Sequence, residues 1–327
     1  MADQDEYIHS EADLLALVDA FFPNTPAPGV IRGRGDDCAE LSLSGEIALS
    51  TDLFLEDAHF RRRYFTPEEI GHKALAVNLS DLAAAGARPL GFSLGLMTPT
   101  PLRRDYARRL FRGMAELAGR YALPLTGGDI SRADSLGVCI TIWGRLAAQR
   151  FLRRGPVRPG DVLFLYGIPG LARVGLSVLE NEGREALARY PAACAAHLRP
   201  EPLLATGQAL ASLPGICLMD LSDGLARDLP RLLGHNGAAI VLEPSALHAE
   251  VTAYARAAGA DPVSLAFAGG EEYGLLGACP EAIWSRLTEI PQEAPLLRLG
   301  CVGGANITLN GREPVAAGFD HFSGATP

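Results

Sequence analysis

The spacing of apolar residues predicts helices and strands that alternate along most of the chain. Ser10 and Asp13 form a typical helix N-cap pair, and apolar residues at helical spacing follow up to Phe21. Prolines from Pro23 onward end that helix, and the run Ile47 to Leu55 predicts a strand. Further predicted elements are helices from about Pro67 to Ala87 and from Leu102 to Tyr121, and strands from Gly137 to Leu146 and from Val162 to Tyr166.

The segment from Arg153 to Asp161 interrupts this pattern. It is rich in proline, glycine and charge, and the apolar strand that starts at Val162 follows it directly. The chain of 327 residues is long enough for two domains of ordinary size. We therefore predict an N-terminal α/β domain over residues 1–150 and a C-terminal domain of mixed helices and strands over residues 151–327.

Composition narrows the class of protein. The net charge of −9 argues against a nucleic-acid binder or a protein of anionic membrane surfaces, both of which need a basic surface. No segment is apolar for the ~18 residues of a membrane span, and acidic residues at the N-terminus are unlike a signal peptide, so we predict a cytoplasmic protein. The six cysteines form no C-x-x-C pair, which argues against zinc and dithiol chemistry, and we expect them to be buried.

Several carboxylates occur among small or apolar residues, where a metal ion would explain them. Asp81 lies in a helix that is otherwise nearly all Ala, Leu and Val, and Asn78 stands three residues before it on roughly the same face. A buried carboxylate needs a cation or strong donors, and Mg²⁺ accepts a few carboxylates together with substrate phosphates and water. The other acidic positions are Asp36, Asp37, Asp52, Asp129, Asp220, Asp223, Glu271 and Glu272. An Asp beside Gly is also a common turn residue, so each pair alone leaves both interpretations open.

Familiar nucleotide and nucleophile motifs are absent from the sequence. There is no G-x-x-x-x-G-K-[ST] phosphate loop, no G-x-G-x-x-G that opens a helix, and no G-x-S-x-G elbow. A nucleotide would therefore have to be held largely through metal ions.

The complete set of motifs resembles one family. The run from His72 to Ala87, which reads HKALAVNLSDLAAAGA, resembles the signature helix of thiamine-monophosphate kinases. Further matching segments, in chain order from about residue 30 to residue 322, are Gly35–Ala39, Ser50–Asp52 with His59 and Phe60, Gly127–Asp129, Arg154–Gly155, Pro159–Asp161, His197–Pro200, Asp220–Leu225, Gly269–Glu271 and Gly318–Phe322.

The resemblance implies a two-domain fold like that of aminoimidazole ribonucleotide synthetase, of the α/β and α+β classes. The N-terminal α/β domain would dimerise with its copy, a C-terminal α+β domain would pack behind it, and ATP would lie between the domains. The implied partners are ATP and thiamine phosphate, with several Mg²⁺ ions, in a homodimer that binds neither nucleic acid nor membrane.

The resemblance also implies roles for individual positions. Those that match metal-binding positions are Asp37, Ser50, Thr51, Asp52, Asp81, Asp129, Asp220 and Asp223. Those that match ATP-contacting positions are Gly128, Asp129, Arg154 and Ser222, and those that match thiamine-phosphate contacts are His59, Glu271 and Phe319. An aromatic ring and a carboxylate suit a cationic thiazolium, and an imidazole can donate to a phosphate.

The expected reaction is direct in-line transfer of the γ-phosphoryl group of ATP to a phosphate oxygen, with no general base. Departures from the family pattern at Ile130, at Leu171 with Ala172, and at Gly274 leave two alternatives open. One is a paralogue on the same fold that acts on another small molecule, and the other is a catalytically silent binding protein.

Lys73 is the only lysine of the chain and begins the small-residue helix that carries Asp81. A slim ammonium fits where a planar guanidinium does not. The sequence therefore predicts that Lys73 is packed in a tight site and pairs with a carboxylate or phosphate near the metal ions.

Overall fold

The structure, a computed structural model, describes residues 6–314, which divide into two compact units. The first unit comprises residues 6–82 and 88–146, and the second comprises residues 83–87 and 147–314. Within the described chain, no helix combines the length and the apolar character needed to cross a bilayer.

The first unit contains eight strands and three helices within its described residues. The strands are β1 (Tyr7–Ile8), β2 (Val30–Arg32), β3 (Glu40–Leu41), β4 (Ile47–Leu55), β5 (Ala87–Thr98), β6 (Leu102–Arg103), β7 (Leu125–Arg132) and β8 (Gly137–Leu146). The helices are α1 (Glu11–Phe21), α2 (Pro67–Ala84) and α3 (Arg104–Arg120).

The main sheet of the first unit has the strand order β4-β8-β5-β7. Strand β8 pairs antiparallel with β4, whereas β5 and β7 run parallel and are connected through α3. Because side chains alternate along a strand, Ser50 and Asp52 share one face of the edge strand β4, and Leu49, Thr51 and Leu53 share the other.

Helix α2 is buried along nearly its whole length. Thr66 and Glu69 form a capping box at its N-terminus, with Thr66 N donating to Glu69 Oε2 at 2.7 Å and Glu69 N donating to Thr66 Oγ1 at 3.3 Å. It lies close to α3, because a Cβ on Gly71 would be 2.0 Å from the Leu110 carbonyl oxygen. Gly71 thus permits the close approach of α2 and α3.

The second unit contains a larger sheet and several short helices. Its strands are β9 (Val162–Tyr166), β10 (Cys217–Leu221), β11 (Ala238–Ile240), β12 (Gly274–Cys279), β13 (Leu296–Val302) and β14 (Ile307–Leu309). Its helices are α4 (Leu171–Glu182), α5 (Pro191–Leu198), α6 (Leu204–Ala211), α7 (Leu225–Leu233), α8 (Ala249–Ala258), α9 (Pro262–Ala268) and α10 (Glu281–Trp284), and 3₁₀ turns occur at Gly183–Ala188, Pro244–Ala246 and Ser285–Thr288.

The sheet of the second unit has the strand order β10-β12-β9-β13-β11-β14, antiparallel except for the pair β11 and β14. Strand β9 is buried at every residue, as expected for a central strand covered on both faces. Apolar side chains of β9, β10, β12 and α7 form one core cluster, which includes Leu165, Met219, Leu229 and Leu276.

Most of the predicted elements are present, and two predictions need correction. The predicted helix to Ala87 ends at Ala84, because Gly86 takes a left-handed φ of 68° that ends the helical path. The cysteines are not all buried, because Cys38 and Cys301 are exposed. Lys73 has no exposed surface, as predicted, and its Nζ lies 5.6 Å from the centroid of the Phe65 ring.

Candidate functional site

The first unit brings two predicted carboxylates together at the middle of β4. The Ser50 hydroxyl donates to Asp81 Oδ2, which links the edge strand to α2. Burial, reinforced by the nearby Asp81 carboxylate, raises the pKa of Asp52 to about 6. Asp52 and Asp81 therefore form a pair of like charges, and a bound cation would relieve their mutual repulsion.

The Thr51 side chain does not join this pair. Its hydroxyl lies on the opposite face of β4, 2.8 Å from the hydroxyl of Thr141 on β8. The alternation of side chains along the strand dictates this placement. Thr51 can therefore contact a metal ion on the Asp52 side of β4 only through its backbone carbonyl oxygen.

Asn78 supplies a further observation about this region. Its side chain is 1% exposed, and its Nδ2 donates to the Ala74 carbonyl at 2.9 Å. Its Oδ1 is buried and has no hydrogen-bond partner among the described residues. An unsatisfied buried acceptor one turn before Asp81 fits a site that takes up a cation or a bound water.

Residues 6–314 contain no ready-made cage of three or more His, Cys, Asp or Glu side chains around one point. The donors Asp52, Asp81 and Ser50 still fit Mg²⁺, because this ion is commonly held by one or two carboxylates together with phosphates and water.

Two other predicted positions of the first unit are exposed. Asp37 lies between β2 and β3, where its backbone amide donates to Asp36 Oδ1 at 3.0 Å. Asp129 stands on β7 and accepts from the Ser131 hydroxyl at 3.0 Å. The structure brings neither of them into a described contact with Asp52 or Asp81.

Gly128 is required by its backbone position on β7. A Cβ at this residue would be 1.9 Å from the Leu94 carbonyl oxygen, and its φ is 154°. Gly128, Asp129 and Ile130 line a largely apolar cavity, which α1, α3 and β5 also border. The departure at Ile130 thus places an aliphatic wall beside Asp129.

His59 is held in a defined tautomer. Its Nδ1 accepts from the Leu55 backbone amide at 3.1 Å, and its ring stacks on Phe54 with centroids 5.9 Å apart. An acceptor at Nδ1 leaves the proton of a neutral imidazole on Nε2. His59 can therefore donate from Nε2 to an anion.

In the second unit, the loop after β10 carries Ser222 and Asp223 and is organised by Asp228. This carboxylate is fully buried and accepts from the backbone amides of Ser222 at 3.1 Å and Asp223 at 2.9 Å. Arg231 contacts both Asp223, at 2.6 Å, and Asp228, at 2.8 Å. Burial raises the pKa of Asp228, while the Asp223 amide and Arg231 oppose that rise.

Sequence reasoning missed Asp228, although its position on the otherwise apolar buried face of α7 was a usable signal. Asp220, which the sequence analysis did include, lies on β10 and is buried, with an exposed fraction of 5%. Arg154 is exposed in the irregular segment before β9. Phe319 lies outside the described residues.

A second loop, before β12, packs against the first. The amide of Glu271 donates to the Ser222 carbonyl at 2.6 Å, and the amide of Tyr273 donates to the Leu221 carbonyl at 2.8 Å. A Cβ on Gly270 would be 2.8 Å from the Ser222 carbonyl oxygen. The glycines of this loop therefore allow it to lie against the Ser222 loop.

The two acidic residues of this loop have different environments. The Glu271 carboxylate lies 2.8 Å from Nδ1 of the buried His197. Glu272 accepts from the Ala172 amide at 3.3 Å at the N-terminus of α4, and burial raises its pKa to about 8. At Gly274, where the chain departs from the family pattern, a Cβ would be 2.5 Å from the Tyr166 carbonyl oxygen, so this structure leaves no room for a side chain there.

Comparisons with known proteins identify the class. The family model of the AIR synthase related protein, N-terminal domain, matches residues 35–146. The chain resembles the solved thiamine-monophosphate kinase of Stenotrophomonas maltophilia K279a with a TM-score of 0.79 and 26% identity, over 94% of this chain and 99% of that one. It also resembles AaThiL complexed with AMPPCP and TMP, with a TM-score of 0.75 and 27% identity, over 95% of this chain and 97% of that one. The fold is therefore that of the AIR synthase related proteins, as the sequence predicted.

Sequence similarity narrows this class to one family. The thiamine-monophosphate kinase of Salmonella typhimurium (strain LT2) is 34% identical over 320 residues, which cover 91% of this chain and 93% of that protein. The chain belongs to the thiamine-monophosphate kinase family.

Proposed function

We propose that the protein transfers the γ-phosphoryl group of ATP to thiamine phosphate, giving thiamine diphosphate and ADP. The relatives named thiamine-monophosphate kinase support this activity, and AaThiL was solved with AMPPCP, an ATP analogue, and TMP. The proposal makes the protein a phosphotransferase with a phosphate acceptor.

The observation that carries the proposal is the pairing of Asp52, on the Ser50 face of β4, with Asp81 of α2. Bound Mg²⁺ would neutralise charge on the phosphates and stabilise the transferring group. The complete set that we propose for several such ions is Asp37, Ser50, Thr51, Asp52, Asp81, Asp129, Asp220 and Asp223, with Thr51 acting through its carbonyl. The aspartates hold the ions through their carboxylates, and the Ser50 hydroxyl, which donates to Asp81, offers its oxygen to them as well.

For the nucleotide we propose contacts with Gly128, Asp129, Arg154 and Ser222. Gly128 is exposed on β7, so its backbone is accessible to a ligand. The apolar cavity beside Asp129 suits the flat face of a base. Arg154 is exposed and can reach a phosphate.

For thiamine phosphate we propose His59, Glu271 and Phe319. His59 donates from Nε2 to the phosphate, and Glu271 faces the cationic part of the molecule. The aromatic ring of Phe319 suits the thiazolium, which is attracted to a π-face.

The transfer step that we propose is in-line. An ionised oxygen of thiamine phosphate forms the new bond to the γ-phosphorus as the bond between that phosphorus and the ADP oxygen breaks. No proton has to be removed from the nucleophile near neutral pH, so we assign no general base and no phosphoenzyme.

We also propose a homodimer formed through the first unit. Leu49 and Leu53 on the edge strand β4 are 69% and 53% exposed, and they share their face with Thr51. An exposed apolar strand edge is a common site of pairing between chains. The cytoplasmic location stays a prediction of the sequence.

The test is an acceptor panel at saturating ATP and Mg²⁺, with ADP release followed against thiamine phosphate, thiamine and unrelated phosphorylated metabolites. Of the acceptors in the panel, we expect only thiamine phosphate to support turnover. A chelator that removes Mg²⁺ should abolish this turnover, and restoring the ion should recover it. Preference for another acceptor would support a paralogue with a different substrate, and binding without turnover would support a silent binding protein.

A further inference from the structure

We infer that His197 is a positioning residue, which fixes the Glu271 carboxylate and so sets the preference of the acceptor site for a cationic ring. This inference rests on the proposed function, because it takes Glu271 as the group that faces thiamine phosphate.

The contact between the two side chains joins a buried group to an accessible one. Glu271 Oε2 lies 2.8 Å from His197 Nδ1, and the side chains are 25% and 1% exposed respectively. A carboxylate accepts only, so Nδ1 carries the proton in this contact. The imidazole thus anchors the carboxylate from the protein interior, while a quarter of the Glu271 side chain remains exposed to solvent.

His197 stands on a firmly held helix. At the start of α5, the Glu250 carboxylate accepts from the amides of Ala192 at 3.1 Å and Ala193 at 2.8 Å. Close to its end, α5 lies against Gly175 of α4, where a Cβ would be 2.9 Å from the Cβ of His197. The ring is therefore carried by a helix that is fixed along its length and is well suited to orient another side chain.

The backbone of Glu271 is fixed as well. Its φ is 65°, in the left-handed region that non-glycine residues rarely adopt, and its amide donates to the Ser222 carbonyl at 2.6 Å. Such a conformation persists when surrounding contacts determine it. With the backbone tied to Ser222 and the carboxylate tied to His197, Glu271 has little freedom to follow a displaced ligand.

A carboxylate held in one place recognises charge more selectively than a mobile one, because it does not have to be ordered when the ligand binds. Its negative charge favours a thiazolium over an uncharged ring of the same shape. His197 therefore contributes to substrate choice without touching the substrate, and its removal affects the acceptor and spares the donor nucleotide.

The experiment compares His197→Leu, which has no donor, with His197→Asn, whose side-chain amide occupies the place of Nδ1. For each variant, KM values for thiamine phosphate and ATP are measured, together with equilibrium binding of thiamine phosphate. A second acceptor is deazathiamine phosphate, in which an uncharged thiophene replaces the thiazolium.

We expect His197→Leu to raise the KM and the dissociation constant for thiamine phosphate about tenfold or more, because a hydrogen bond to a charged group is lost. The KM for ATP stays within about twofold, and the preference for thiamine phosphate over the deaza analogue falls. His197→Asn restores most of the affinity and the preference. If His197→Leu does not fold, His197→Gln, whose amide reaches the place of Nε2 instead, is held to the same criteria.

Equal changes in both KM values, or an unchanged preference between the two acceptors, would overturn the inference while leaving the proposed kinase activity intact. Failure of the unmodified protein to use thiamine phosphate would instead refute the proposed function, so the two failures are distinguishable.

Discussion

Replacing Asp52 by Asn should make the metal-free protein more stable at neutral pH. Burial and the neighbouring Asp81 raise the Asp52 pKa from its ordinary value of 3.8 to about 6. A folded-state pKa above the unfolded value means that the ionised charge opposes folding above about pH 6 and not below about pH 4. The pKa difference corresponds to about 3 kcal/mol. The isosteric amide removes this charge, so Asp52→Asn should gain up to about 3 kcal/mol.

The assay is urea unfolding in excess chelator at about pH 8 and about pH 4. Asp52→Asn should be the more stable protein at the higher pH, where Asp52 is ionised, and should have no such advantage at the lower pH. Mg²⁺ should stabilise the unmodified protein more than the variant, and the variant should lose most of its turnover. Asp134→Asn, at an exposed aspartate of the same unit, is the matched control and should change neither stability nor activity. If Asp52→Asn is equally or less stable at the higher pH, or keeps its turnover, Asp52 and Asp81 do not form the proposed repulsive, metal-binding pair.

Other variants test separate parts of the site. Lys73→Arg should destabilise the protein by about 1–3 kcal/mol, because a wider group must enter a fully buried position. For the same reason an amine reagent should label the N-terminus much faster than Lys73, and rapid labelling of Lys73 would contradict its burial. Leu53→Asp should convert the proposed dimer to monomer in light scattering, whereas Val241→Asp, at a comparably exposed apolar residue of the second unit, should not. A monomer already present in the unmodified protein would refute the proposed assembly. Phe319→Ala should raise the KM for thiamine phosphate and leave the KM for ATP nearly unchanged, and equal effects on both substrates would argue that Phe319 acts elsewhere.

Local patterns were sufficient to predict the elements that carry the acidic pair. Strand β4 has the predicted bounds, and its period of two puts Ser50 and Asp52 on one face. The small-residue composition around Asp81 predicted a buried helix, and α2 is buried. These features depend on neighbours in sequence, so the sequence contained the information that determines them.

The partners of the loop residues could not be predicted in the same way. Asp228 holds the Ser222 amide across the local turn from β10 into α7, and its place on the apolar face of that helix was a usable signal. His197, by contrast, meets Glu271 only because segments that are far apart in the chain approach each other in the folded unit. No periodicity within one segment encodes such an approach. The orientation of Thr51 is a different case. The resemblance grouped Thr51 with Ser50 and Asp52, and the alternation of side chains along β4 was a signal, not used in that grouping, that its side chain lies on the opposite face.

Phosphorus NMR of one reaction mixture tests the central claim most directly. The protein is incubated with ATP, Mg²⁺ and thiamine phosphate, and the signals of all phosphorus species are followed together. The proposed transfer predicts that the γ-phosphate signal of ATP is replaced by the paired signals of thiamine diphosphate, with ADP formed in equal amount. Inorganic phosphate as the product, with thiamine phosphate unchanged, would contradict the claim, as would a mixture in which ATP is not consumed.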